Sequence, residues 1–198
     1  MDAGVAMRRL WKWVAPVALV LGFGPSALAA PTPDLTITVK DLTPKFLALY
    51  HAATAAPVSA DERFRLWKQY DDFAAVPPTP QGDAIARRLL DGAWPKYPGV
   101  MDRIEAGASG LEPSPQETLR RVAAELKPAG PVHLNLVVYV GALEGNAFTA
   151  SFDGKVTVAV PVEETPFERG PVMTHEFTHA VQISMGTNSG GWIRTGPC

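Results

Sequence analysis

The 198-residue chain has one cysteine, Cys198. No intrachain disulfide can form, so even in an oxidising compartment the core must hold the fold. A strong excess of either sign of charge is also missing, with 18 lysines and arginines against 20 aspartates and glutamates. The formal net charge is -2, which excludes the basic footprint of a nucleic-acid binder. No cysteine stands just after the first 29 residues, where a lipid would be attached. Between residues 180 and 198 there is no aspartate, glutamate or histidine. No internal repeat is visible. What the chain does have is 46% apolar and 19% charged residues. That is a globular composition, long enough for one core-bearing domain.

The N-terminus reads as an address rather than as structure. Arg8, Arg9 and Lys12 precede the uncharged run WVAPVALVLGFG at 13 to 24, and PSALAA follows. A basic start, a short apolar stretch and a small-x-small site make a secretory signal peptide cut after Ala29. A membrane anchor fits less well, because a spanning helix needs about 20 apolar residues. The expected domains are a signal peptide at 1–29 and one domain at 30–198. The expected location is periplasmic or secreted, with no membrane anchor after cleavage. Loss of three basic residues and Asp2 leaves the mature chain at a net charge of -4.

The rest of the chain changes period once. Leu35, Ile37 and Val39 alternate with polar residues as in a strand. Thr43-Pro44 predicts a helix start, with threonine as cap, running to about residue 53. Ser59 and Glu62 form a capping-box pattern ahead of Phe64, Trp67, Tyr70 and Phe73, a stripe read as core. The prolines at 77, 78 and 80 read as a stiff linker. A helix is expected over 83–90 and a loop over 94–99. Ser114-Pro115-Gln116-Glu117 starts another helix, and Pro128 and Gly130 end it. Then VHLNLVVYV at 132–140 reads as a strand, and Asp153-Gly154 reads as the turn of a hairpin over 147–160. A helix over 171–183, stopped by Gly186, closes the series. The fold class expected is α+β: helices, a small sheet, then one last helix.

That last helix carries VMTHEFTHAV at 172–181. Residues four apart share a helix face, so His175 and His179 can point at one ion. Zinc accepts imidazole nitrogen at about 2.0–2.1 Å. Glu176 stands about 100° around the helix, outside that shell and suited to bond a water on the ion as general base. Every neighbour from 172 to 181 except Glu176 is uncharged, and most are apolar. The segment therefore reads as buried, where two histidines and a glutamate need a partner such as Zn2+. A helix whose histidines only hydrogen-bond within the core is the plainer alternative.

The run from the hairpin through GPVMTHEFTHAVQ to SGGWIRT resembles bacterial zinc-dependent peptidases of the gluzincin (HExxH zincin) type. The resemblance covers residues 130 to about 195. It implies a zincin-like fold, a peptide or protein substrate, His175 and His179 as metal ligands and Glu176 as the catalytic residue. It also implies a substrate-pairing strand edge, placed at 146–151. A third histidine six residues after His179 would mark a metzincin, but that position is Met185. The glutamate that completes a gluzincin site is missing, so the chain is expected to stop short of it. Alternatively Cys198, His133, Asp153 or Glu163 completes the shell. Trp192 is read as core. Two other functions stay open: a non-catalytic zincin-like binding module, and a zinc hydrolase of another amide bond such as one in the cell wall.

Overall fold

The computed structural model describes residues 33–70, 79–152 and 154–186. The signal-peptide reading, Phe73, Asp153, Trp192 and Cys198 lie outside them.

Strand β1 (Leu35–Asp41) leads directly into α1 (Thr43–Thr54). The cap differs from the expectation. Leu42 is the N-cap residue, and the Asp41 carboxylate accepts both the N–H and the hydroxyl of Thr43, at 2.9 and 2.7 Å. Helix α2 (Ala60–Tyr70) starts as expected, with the Glu62 amide donating to the Ser59 hydroxyl at 3.1 Å. Of its aromatic stripe, Phe64 is buried and Trp67 packs half-buried against the core. Helix α3 (Pro80–Ala93) begins three residues before the expected 83. Thr79 caps it by accepting from the Gly82 amide, and Pro80 fills its first turn, where the missing N–H costs nothing. The Thr-Pro pair that reads as linker is therefore a helix start. The expected loop over 94–99 is a 3-10 helix, Trp94–Val100, followed by α4 (Met101–Ala106). Helix α5 (Pro115–Leu126) has the Ser114 cap, which accepts from the Glu117 amide.

Strands β2 (Val132–Tyr139), β3 (Phe148–Phe152) and β4 (Lys155–Pro161) complete one four-stranded mixed sheet in the order β1-β2-β4-β3. β1 and β4 both run parallel to β2, and β3 runs antiparallel to β4. The hairpin is as read, and β3 is an outer strand of the sheet. Helix α6 (Pro166–Ser184) follows and packs on β4, β3, β2 and α5. It begins five residues earlier than 171, because Thr165 and Glu168 form a complete capping box with Pro166 in the first turn. Pro171 sits inside the helix. The fold is α+β.

The side-chain period of two sorts the sheet. Leu134, Leu136 and Val138 of β2 and Val156, Val158 and Val160 of β4 face the main core, with Met173, Phe177, Ala180 and Val181 of α6. The opposite face carries a small cluster of Leu42, Val137, Tyr139 and Ala159. Two substitutions should separate core from cap. Leu136 is fully buried, and Leu136→Ala is expected to cost about 2–5 kcal/mol. Thr165→Ala removes only a cap, worth about 1 kcal/mol. Urea unfolding of both variants measures the two costs, and equal costs would mean the capping box holds more than its own helix end.

Candidate metal centre

The inward stripe of α6 fixes which way the helix faces. Met173, Phe177, Ala180 and Val181 are fully buried, so His175 and His179 turn away from the core. The apolar frame therefore does not bury both histidines as expected. His175 is exposed and His179 half-buried, while Glu176 is 2% exposed. The apolar neighbours lie on the opposite side of the helix from the imidazoles.

The two rings converge. Their Nε2 atoms are 2.9 Å apart, with ring centroids at 4.5 Å and planes at 85°. Without an ion this is an N–H···N hydrogen bond between two imidazoles, one donating and one accepting. With a tetrahedral ion bonded at about 2.0–2.1 Å, two such nitrogens stand roughly 3.3 Å apart. A spread of about 0.4 Å, within reach of small rotamer changes, separates the two arrangements. Two imidazole nitrogens one helical turn apart supply two of the three protein ligands that a catalytic zinc site takes.

Glu176 points to the sheet. The Thr149 hydroxyl of β3 contacts both the Glu176 carbonyl oxygen, at 2.9 Å, and its carboxylate Oε2, at 2.7 Å. Thr149 pairs in register with Val158, so it stands on the core-facing side of the outer strand. It is itself 2% exposed. Among the described residues, the other carboxylate oxygen, Oε1, has no hydrogen-bond partner. The histidines and the glutamate thus occupy different sectors of one helix, with the glutamate wedged between that helix and an outer strand. The segment 146–151, expected as a strand edge, is strand only from Phe148, since β3 covers Phe148–Phe152 and Asn146 lies in the loop before it, its carbonyl accepting from the Tyr139 hydroxyl.

No group of three histidine, cysteine, aspartate or glutamate side chains suited to a metal forms among the described residues. His133 is exposed on β2 and His51 exposed on α1. Glu163 has another task. It is 1% exposed, and its carboxylate accepts the amides of Gly141 and Leu143 at 3.0 and 3.2 Å. Burial pushes its carboxyl above the usual carboxylate range, while those amides and the nearby Arg169 guanidinium pull it back down. Arg169, on the first turns of α6, is also buried and donates to the carbonyls of Gly110, Val162 and Glu164. Arg103 donates to the Glu163 carbonyl, and the Tyr97 hydroxyl donates to the Gly141 carbonyl. This network fixes the loop between β2 and β3. Leu143 and Gly145 in that loop have φ of 60° and 65°, the left-handed region. The loop in turn delivers β3 to the Glu176 carboxylate.

Two outcomes test these contacts. Thr149→Val leaves a buried carboxylate oxygen without its donor, which should cost about 1–3 kcal/mol, whereas Thr149→Ser should recover most of it. Denaturant unfolding reads both, and equal stability of Thr149→Val and the parent would show that the hydroxyl carries no net weight. Glu163 gives a pH signature. The unfolded chain releases this proton near the ordinary value of about 4.3 and the native chain only at higher pH. In that window the native state holds more protons, so stability falls as pH rises from about 4.3 up through the raised native value. The fall should be smaller in Glu163→Gln, measured by unfolding at a series of pH values. An identical pH dependence in both proteins would remove Glu163 as its source. The chain matches no family model, no curated protein and no solved structure.

Proposed function

We propose that this protein is a zinc-dependent peptidase with a zincin-like fold, acting on peptide or protein substrates in the periplasm or outside the cell. The observation that carries the proposal is the convergence of the two Nε2 atoms at 2.9 Å on α6, beside a buried glutamate locked to an outer strand. The basic-apolar leader at residues 8–24 supports the location. Among the described residues, no helix is long and apolar enough to cross a membrane.

His175 and His179 would hold the zinc. Bound zinc supplies a Lewis acid for the scissile carbonyl and lowers the pKa of a coordinated water towards about 7. Glu176 serves as general base. Its Oε2 is held by Thr149, which leaves Oε1 to accept a proton from water and return it to the leaving amine. Strand β3 offers its outer edge to an extended peptide, whose backbone would add to the sheet and lie along the strand that orients Glu176. A peptide docked there stands next to the base, and its alternate side chains point towards and away from α6.

Zinc content per chain, measured beside the His175→Ala/His179→Ala double variant, tests the metal. About one zinc that disappears in the double variant is expected. A folded parent protein that takes up no zinc would defeat the proposal. Glu176→Gln tests the base. It should abolish cleavage of a peptide pool while keeping zinc, and equal loss of metal and cleavage would make Glu176 a structural residue.

A further inference from the structure

Between α5 and α6 lies a shallow, largely open groove of about 570 Å³ that borders His175. Its walls are mostly uncharged, with Pro113 before α5 on one side and Gly170 and Pro171 of α6 on the other. Two threonines of α6 also line it, and both have spent their protons. The Thr174 hydroxyl donates to the Gly170 carbonyl at 2.9 Å and the Thr178 hydroxyl to the Thr174 carbonyl at 2.8 Å. They offer the groove lone pairs and methyl groups. Its charged side chain is Arg121, which is exposed on α5.

The arginines of the earlier helices divide into paired and unpaired: among the described residues Arg88 and Arg103, like Arg121, have no ion pair. Arg63, Arg65 and Arg87 each pair with a carboxylate. Among the described residues Arg121 has no such ion pair, although Glu117 and Glu125 stand four residues to either side of it on the same helix. A guanidinium has five donors in a planar fork and no acceptor. The groove therefore presents a neutral, proline-walled trough with one fork of donors, next to one of the two metal-site histidines. A carboxylate on a short aliphatic stem complements it: the stem packs on proline and threonine methyl groups, and the carboxylate meets the fork.

We infer that this groove is a specificity pocket for an acidic side chain of the peptide, aspartate or glutamate, held by Arg121 next to His175. The inference rests on the peptidase reading, since it names the side chain that the same site selects. It separates two sources of a carboxylate, an acidic side chain and a free chain terminus, in favour of the side chain. The groove lies beside the helical turn that carries both histidines, so a residue seated in it belongs to a chain continuing along the site.

The test is binding, which needs no turnover. Four peptides are titrated into the folded, full-length protein. One is a blocked pentapeptide with central glutamate. Two are its glutamine and lysine counterparts. The fourth is the glutamine peptide with a free C-terminal carboxylate. The Kd is followed through the amide chemical shifts of Thr174 and Thr178. The glutamate peptide is expected to bind about tenfold more tightly than the blocked glutamine peptide, as a charge-assisted, bidentate contact would give. In Arg121→Gln the ratio should fall to within about twofold, with Arg121→Lys between the two. Equal binding of glutamate and glutamine, an unchanged ratio in Arg121→Gln, a preference for the free terminus, or no shift with any peptide would each overturn the inference. Cleavage is scored separately. Failure of every peptide to be cleaved with zinc present counts against the peptidase reading, while the binding ratio alone decides the pocket.

Discussion

The rotation of α6 about its own axis is the constraint on which the site depends. Successive residues step about 100° around a helix. Once Met173, Phe177, Ala180 and Val181 are committed to the core, the directions of the remaining side chains follow. His175 and His179 emerge on one flank with their Nε2 atoms together. Glu176 emerges towards the outer strand, and Thr174 and Thr178 emerge towards α5. A shift of one residue in this packing would swap these sectors. Three different surfaces, one with the paired imidazoles, one with a buried carboxylate and one with a groove, are therefore set by a single apolar stripe.

Such a stripe holds only if the helix also has a fixed start. The capping box of Thr165 and Glu168 sets the first turn, and Arg169 locks it from beneath by donating to carbonyls of Gly110, Val162 and Glu164. A buried guanidinium surrounded by carbonyl oxygens is held in one place, because every donor it loses there stays unpaired. Glu163, two residues before the cap, turns the other way and gathers the loop between β2 and β3 through its amides. One turn of chain between β4 and α6 thus positions both the helix that bears the histidines and the loop that leads into the strand facing Glu176.

The elements were readable where local chemistry and tertiary packing agree. The β-branched run at 132–140, the Asp153-Gly154 turn and the Ser114 cap each predict an element that exists, with ends within a residue or two. The errors share a cause. Thr79-Pro80 and Thr165-Pro166 are cap-plus-first-turn pairs, but prolines nearby, at 77 and 78 and at 171, favour loop over helix when only the sequence is weighed. A proline inside α6 is tolerated because the helix packs on a sheet and on α5, which no local pattern records. The short 3-10 and α-helical turns over 94–106 are held by the core contacts of Tyr97 and Ile104, again non-local.

The candidate site was legible in its histidine pair and opaque in its supports. The spacing of His175 and His179 and the offset of Glu176 are properties of the helix, so they can be derived from three letters in five. Burial could not be derived in the same way. A charge-poor segment reads as uniformly buried, yet the histidines face outward and the glutamate inward, because a helix buries a face and not a segment. Thr149 gives no signal in FTASF beyond its place in the alternation, since its partner is 27 residues away on another element. Arg121 is one of two adjacent arginines in an amphipathic helix, and only the approach of α5 to α6 sets it beside His175. The two histidines and the glutamate are written into one short stretch of chain. The groups that hold Glu176 and border the groove come from a strand before that stretch and a helix further upstream, so their contacts exist only after folding has brought β3 and α5 to the two flanks of α6.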